Sequence, residues 1–157
     1  PLPVIKNGKT VDPRDKKSTK VLQLETAMGS AIECFEGAKA ILIPRTRFAP
    51  VKTTADLLAL SSDAYEVTAD SRMVLRAERA GVPPTVKLDD CFKFVDQLAS
   101  LTSNGVPSLL KCSKLTIEGK VTFGKGTVIE GTCKFINKSG DFVTAEGRVF
   151  KDETVEL

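Results

Sequence analysis

The sequence predicts an α/β fold followed by a small parallel β-helix, and three observations carry this prediction. Apolar residues recur at helical spacing in residues 25–37, 53–67 and 89–101. A β-branched apolar run, AKAILIPR at 38–45, lies between the first two helical segments, which is the order of α/β layers with partly parallel strands. Residues 115–138 instead repeat every six residues, a period that no α-helix has.

The composition is that of an ordinary globular protein. At 157 residues the chain is long enough for one core, or for one core and a small annex. The net charge of +3 is too weak to indicate nucleic acid as a partner. No apolar run reaches the about 18 residues of a membrane span, and the N-terminus lacks a signal peptide, so we expect no membrane partner. The chain begins with proline rather than methionine, and we expect residues upstream of it.

The cysteines and the missing histidine limit the possible chemistry. The four cysteines are far apart and form no C-x-x-C pair, which disfavours a zinc site and favours free thiols of a reducing cytosol: Cys34, Cys91, Cys112 and Cys133. The sequence contains no histidine, which excludes Ser-His and Cys-His nucleophile pairs. Lysine or carboxylate chemistry remains.

The amino-terminal stretch predicts strands joined by polar turns. LPVI at 2–5 indicates a strand, NGKT at 7–10 a turn, and the polar residues around Pro13 a loop. KVLQL at 20–24 indicates a short strand or an extended entry into the first helix. The apolar run at 38–45 is expected to be a buried strand.

The middle of the chain predicts short elements before the repeats begin. Pro83 and Pro84 turn the chain into a short strand. The amphipathic helix at 89–101 is expected to be capped by Asp89 or Asp90, and TSNGVPSLLKC at 102–112 is expected to be a linker.

The six-residue repeat predicts a left-handed parallel β-helix. Its four units are LTIEGK, VTFGKG, TVIEGT and CKFINK, with glycines at or near the corners. Its apolar positions form two columns, which are Leu115, Val121, Thr127 and Cys133, and Ile117, Phe123, Ile129 and Phe135. Four units make little more than one coil, and an antiparallel meander is the alternative.

Lys52 is the strongest candidate site residue. It directly precedes the helix at 53–67, for which Thr53 or Thr54 is the candidate N-cap and Asp56 lies in the first turn. A lysine ammonium beside the free N–H groups of a helix N-terminus can hold phosphate. The alternative is a surface lysine after a turn.

Other polar residues near these segments have ordinary structural explanations. Arg45 and Arg47 flank the same loop and either extend a phosphate cradle or form ion pairs. Gln23 and Glu25 precede the first helix, where Glu25 can help to cap it.

Two quoted blocks resemble a known family. VLQLETAMGSAIECFE and IPRTRFAPVKTTADLLAL resemble the carboxyl-terminal half of eukaryotic UTP–glucose-1-phosphate uridylyltransferases, or UDP-glucose pyrophosphorylases, and the wording is closest to the trypanosomatid branch. The resemblance implies an enzyme that makes UDP-glucose and pyrophosphate from UTP and glucose 1-phosphate with Mg2+. It implies that Lys52, the lysine of PVKT, contacts phosphates as a catalytic and substrate-binding residue.

The same resemblance implies a division of the fold. Residues 1–105 would be the end of a Rossmann-like, GT-A-like nucleotidyltransferase domain, and residues 106–157 the left-handed β-helix domain. The family's glycine-rich nucleotide loop, its second lysine, its uracil- and sugar-binding residues and its metal-binding aspartate have no counterpart here. We therefore expect a fragment, or a chain that docks on a missing amino-terminal half, inactive alone and without the Mg2+ ligands.

The sequence leaves two alternative functions. The chain can be a non-catalytic assembly module built on the β-helix, because the ends of a short solenoid expose sheet edges. A hexapeptide-repeat acyltransferase would need more coils and a histidine base. The expected location is the cytoplasm, or the glycosome if the lineage is trypanosomatid.

Overall fold

The computed structural model describes residues 2–44 and 47–157. These residues form two compact units, which divide after residue 44. No helix in the described ranges is both long and apolar enough to cross a membrane.

The first unit is built on an antiparallel ribbon. Strand β1 (Val4–Thr10) pairs with strand β2 (Lys20–Thr26), with Asn7 opposite Gln23. The turn predicted at 7–10 is therefore wrong, because these residues continue β1. The chain reverses later, as the polar residues predicted, where the Asp12 carboxylate accepts a hydrogen bond from the N–H of Arg14 at 2.8 Å.

The rest of the first unit is less regular than the sequence predicts. The first helical segment is a 3-10 helix at Met28–Cys34. The buried strand predicted at 38–45 is wrong for residues 38–44, which form no strand, and Arg45 lies outside the described residues. Ile41 is 84% exposed and Leu42 is 95% exposed. An apolar run becomes a buried strand only where neighbouring strands cover it, and no described strand pairs with this run.

The second unit begins with two short helices and a hairpin. Helix α1 (Thr54–Ser61) precedes an antiparallel pair of strands, and a 3-10 helix (Asp90–Phe92) precedes helix α2 (Val95–Leu101). The hairpin strands are β3 (Tyr65–Val67) and β4 (Met73–Leu75), a 3-10 helix at Ala77–Arg79 follows, and strand β5 (Thr85–Lys87) follows the prolines as predicted.

Both helices of the second unit are shorter than predicted. The segment at 53–67 divides into α1 and β3. Ser62 ends α1, because its hydroxyl donates a hydrogen bond to the Ala59 carbonyl at 2.7 Å, and β3 begins at Tyr65. The segment at 89–101 divides because Phe94 is extended and donates its N–H to Gln97 Oε1 at 2.9 Å. Asp89 is the cap of the 3-10 helix, one of the two candidates.

The remaining strands make parallel sheets, which confirms a mixed α/β fold. They are β6 (Ser108–Glu118), β7 (Val121–Phe123), β8 (Val128–Ile136), β9 (Val143–Ala145), β10 (Val149–Lys151) and β11 (Thr154–Glu156). One sheet has the order β10-β8-β6-β5 with β11 also on β8, and β7 pairs with β9. Every one of these pairings is parallel, so the antiparallel meander is wrong. The linker predicted at 102–112 is shorter, because β6 starts at Ser108.

The six-residue repeat fixes the register of this sheet. Leu115 pairs with Cys133 and Ile117 with Phe135, so partners on β6 and β8 are three repeats apart. All eight residues of the two predicted columns are buried. Seven of them, all except Thr127, belong to the hydrophobic core of the second unit, whose other members include Leu58, Phe92, Leu98, Leu101 and Phe150.

Two of the predicted corner glycines combine a positive φ with a close neighbour. Gly119 has a φ of +82°, and a Cβ atom there would collide with the carbonyl oxygen of Asn137. Gly131 has a φ of +64°, and its Cβ would collide with the Asp152 carboxylate. Gly119 is therefore needed for space as well as for conformation, whereas Gly131 is needed mainly for its positive φ, because the Asp152 side chain can move.

Candidate phosphate-binding site

Lys52 is exposed and lies one residue before the N-cap of helix α1. The N-cap is Thr53, which is extended at φ −130° and ψ 165°. Thr54 is the first helical residue, so of the two cap candidates Thr53 is right and Thr54 is wrong. The reason is geometric, because the Thr53 hydroxyl can accept the N–H of Asp56, at 3.3 Å, only from the residue before the helix.

Asp56 closes the start of this helix with one carboxylate oxygen. Its Oδ2 accepts the N–H of Thr53 at 2.8 Å and the Thr53 hydroxyl at 2.8 Å, which completes a capping box. The same oxygen accepts the N–H of Lys52 at 3.0 Å. The sequence pattern predicted only a helix-dipole role for Asp56 and gave no sign of this contact. The T-x-x-D spacing of Thr53 and Asp56 signals the capping box, but nothing in the pattern signals the bond to Lys52.

The electrostatics keep Asp56 ionised at neutral pH. Partial burial raises the pKa of Asp56, but the hydrogen bonds from Thr53 and from the N–H of Lys52, with the charge of Lys52, outweigh burial and lower the pKa below its ordinary value. The neighbouring Tyr65 has its pKa raised, mainly by burial and also by the Asp56 charge, against an opposing effect of Arg79. Neither group is suited to proton transfer at neutral pH, so the chemistry available here is charge stabilisation.

Two donors and one cation remain available at the helix start. The N–H groups of Thr54 and Ala55 have no acceptor within the described ranges 2–44 and 47–157, and no carboxylate there pairs with the Lys52 ammonium. Such donors beside a lysine suit a phosphate oxygen. The Asp56 charge offsets that of Lys52, so a polyphosphate with several negative charges needs further cations.

The other predicted polar residues do not join a described site. Arg45 lies outside the described residues, and Arg47 is exposed. Glu25 lies on β2, where Oε1 accepts the Asn7 amide at 2.7 Å and the Gln23 amide at 3.3 Å. Glu25 does not cap the 3-10 helix after it, because the cap position is Ala27 and has no side-chain hydrogen bond.

The cysteines are free and the described residues contain no metal site. Cys112 and Cys133 are fully buried core residues, Cys91 is partly buried and Cys34 is exposed. Burial raises the pKa of Cys91 to about 11 and that of Cys112 to about 12, so these two thiols are protonated at neutral pH. In the described part of the chain, no group of three or more cysteine or carboxylate residues could hold a metal ion.

Two charged residues that the sequence pattern does not single out, Asp63 and Arg79, make hydrogen bonds to the irregular start of β6. The Asp63 carboxylate accepts the N–H of Leu109 at 2.8 Å and of Leu110 at 3.0 Å. Arg79 Nη1 donates to the carbonyls of Leu110 at 3.0 Å and Cys112 at 2.6 Å. Both roles are structural, because these groups satisfy backbone atoms where the β6–β8 register shifts.

Comparison with known proteins decides the family. The family model of UTP–glucose-1-phosphate uridylyltransferase matches residues 1–130. This chain belongs to the UTP–glucose-1-phosphate uridylyltransferase family. Among curated uridylyltransferases it is 38% identical to that of Saccharomyces cerevisiae over 88% of this chain and 27% of the relative, and 41% identical to that of Pyrus pyrifolia over 88% of this chain and 28% of the relative.

Solved structures of UDP-glucose pyrophosphorylases share its fold. The Leishmania major enzyme is 50% identical with a TM-score of 0.86, over 100% of this chain and 33% of that protein. The Trypanosoma brucei protein is 48% identical with a TM-score of 0.92, over 99% of this chain and 35% of that protein. The chain thus spans about a third or less of the family members it matches, and the trypanosomatid resemblance is confirmed.

Proposed function

We propose that this chain is the carboxyl-terminal part of an enzyme that makes UDP-glucose and pyrophosphate from UTP and glucose 1-phosphate. The family match carries the proposal, and a Leishmania major variant that is 49% identical was solved in complex with UDP-glucose. Within the complete enzyme, Lys52 binds the phosphates. The observation that supports this role is the place of Lys52 directly before the helix start, where neither its ammonium nor the N–H groups of Thr54 and Ala55 have a partner among the described residues.

The proposed reaction is an in-line displacement at phosphorus. A phosphate oxygen of glucose 1-phosphate attacks the α-phosphorus of UTP and forms the new P–O bond. The bond from the α-phosphorus to the oxygen that bridges to the β-phosphorus breaks, and pyrophosphate leaves with that electron pair. Lys52 stabilises the negative charge that develops on the phosphates, without transferring a proton.

The remaining parts of the site lie outside this chain. The positive charge of Lys52 is offset by the negative charge of Asp56, so further cations are needed to bind the triphosphate of UTP. No described residue from 2 to 44 is buried, as expected of a sheet segment whose neighbours belong to an amino-terminal half. Mg2+ is the proposed cofactor of the complete enzyme, with ligands from that half, because the described residues here do not form a metal site.

We further propose that β6–β11 form a short left-handed β-helix, with the domain boundary between residues 105 and 106. The parallel register of three six-residue repeats, the buried columns and the corner glycines support this architecture. An experimental structure tests it through the handedness of the coil. A right-handed coil would contradict it.

The cytoplasm is the proposed location, with the glycosome as the alternative for a trypanosomatid source. The free cysteines support a reducing compartment. Microscopy of the tagged protein distinguishes the two compartments.

An assembly role has less support than catalysis. The outer strands β10 and β11 are three residues long and carry Lys151 and Glu156. Short charged edges protect a sheet from pairing with other chains. Sedimentation of the purified chain tests this alternative, and a stable dimer at micromolar concentration would favour it.

The test of the proposed function uses a chimaera in which this chain replaces the matching third of the Leishmania major enzyme. We expect Lys52→Ala to lower kcat/KM for UDP-glucose formation about 10²–10³-fold, the cost of one charge-stabilising donor. Lys138→Ala is the control, because Lys138 is exposed and its side chain has no described partner. Equal rates for the two variants would refute the role of Lys52.

A further inference from the structure

Asp56 makes one contact that helix capping does not require. A capping box needs the carboxylate to reach the N–H of the N-cap residue, which here is Thr53. Asp56 Oδ2 also accepts the N–H of Lys52, one residue further from the helix, at 3.0 Å. The carboxylate therefore fixes two successive peptide groups, and the second belongs to the lysine.

This contact matters because little else in the described chain restrains Lys52. The side chain is exposed, and no described carboxylate holds its ammonium group. A lysine side chain has four rotatable bonds, so the direction in which it leaves the backbone decides which positions the ammonium can reach. The N–H bond to Asp56 fixes that direction, and α1 fixes Asp56.

We propose that Asp56 is a positioning residue for Lys52, acting through its hydrogen bond to the lysine's backbone N–H. The inference rests on the proposed function, because it assumes that Lys52 binds phosphate. Asp56 has a second effect, since its negative charge limits how strongly the free helix start binds anions. Phosphate then binds firmly only where further cations complete the site.

The hydrogen-bond pattern provides a conservative variant. All three described donors reach Oδ2, and Oδ1 has none. An asparagine can therefore place its amide oxygen at Oδ2 and keep the three bonds without the charge. Asp56→Ala removes the bonds altogether.

The control is Asp89, another aspartate of the second unit that caps a helix start, here that of the 3-10 helix at Asp90–Phe92. Its carboxylate accepts the N–H of Cys91 at 2.9 Å and that of Gly119 at 3.0 Å, and its pKa is lowered chiefly by these bonds. Asp89→Ala thus removes a cap and two backbone hydrogen bonds without touching Lys52.

The experiment measures UDP-glucose formation by the chimaera, below the melting temperature of each variant. We expect Asp56→Ala to lower kcat about 10- to 100-fold, as for a reacting group that is misplaced by about an ångström. Asp56→Asn should keep most of the rate. In a Lys52→Ala background, Asp56→Ala should change the rate less than about twofold, because its effect passes through the lysine.

The outcomes separate the two proposals. If Lys52→Ala leaves the rate unchanged, the proposed function fails and the positioning role fails with it. If Lys52→Ala lowers the rate but Asp56→Ala behaves like Asp89→Ala, only the positioning role fails. Independent, additive losses in the double variant, or equal losses for Asp56→Asn and Asp56→Ala, also overturn it. Should Asp56→Ala not fold, Asp56→Ser replaces it, since serine suits the first helical turn but is too short to reach the Lys52 N–H.

Discussion

Truncating Phe135 should show how much stability the repeat columns contribute. Phe135 is fully buried on β8 and pairs in register with Ile117. Its ring meets Phe123 edge-on at 5.1 Å between centroids and Phe150 at 4.9 Å. Phe135→Ala therefore removes a large apolar group and two aromatic contacts at once.

The expected loss is about 4 kcal/mol. Buried Phe→Ala changes cost about 3–5 kcal/mol, and the two edge-to-face contacts place this one in the upper half of that range. A unit of this size unfolds in urea with a slope of about 2 kcal/mol per molar, so the midpoint should fall by about 2 M. That is a large share of the about 5–15 kcal/mol that stabilises a typical domain.

Circular dichroism is the appropriate signal for this titration. The sequence has no tryptophan and a single tyrosine, which makes intrinsic fluorescence weak. Phe142→Ala is the control, because Phe142 is 49% exposed and its loss should cost less than about 1.5 kcal/mol. Equal midpoint shifts for the two variants would refute the assignment of the Phe135 column to the core.

Two further predictions concern the turns of the second unit. Gly119→Ala should lower the free energy of unfolding by at least about 2 kcal/mol, because the new Cβ atom would meet the Asn137 carbonyl. Gly126→Ala is the control and should cost about 1 kcal/mol, because Gly126 has a φ of +78° but open space around it. Equal shifts of the melting temperature in the two variants would contradict this prediction. The N–H groups of Cys91 and Gly119 hold the pKa of Asp89 below its ordinary value of 3.8, so its stabilisation is present above that value and is lost as pH falls through the folded-state pKa. Urea titrations between about pH 5 and about pH 2.5 should therefore show that the free energy of unfolding falls less for Asp89→Asn than for the wild type. The same pH dependence of this free energy in both proteins would refute the prediction.

The packing of the six-residue repeats could be predicted from the sequence because the strands that they form pair with one another within the same chain. Every six-residue step brings an apolar side chain back to the same interior, so period alone identifies the residues that pack together. Leu115 and Cys133 are one such pair, and the structure places them in parallel register. Period could also locate the tight corners, although only the coordinates show that Gly131 faces a carboxylate.

The phosphate-site candidate could be predicted in part. Threonine before a helical pattern with an acidic residue in the first turn predicted the helix start, with Thr53 or Thr54 as the cap. The structure decides between them in favour of Thr53 and adds the capping box with Asp56. The bond from the Lys52 N–H to Asp56 depends on the backbone torsions at the cap, and residue types do not specify them. The role of Lys52 itself came from the family resemblance, since its exposure and charge alone fit a surface lysine equally well.

The predictions that failed share a physical cause. NGKT was assigned to a turn because Asn-Gly favours one, yet Gly8 pairs with Leu22 across the ribbon, and the ladder as a whole outweighs a local preference. The run at 38–45 was assigned to a buried strand, yet Ile41 is 84% exposed, because a strand is stabilised only by neighbours that complete its hydrogen bonds and cover its faces. Local pattern alone thus fails wherever strand pairing decides the structure. The exposed run is the part of the fold that most requires a partner strand from the rest of the enzyme proposed above.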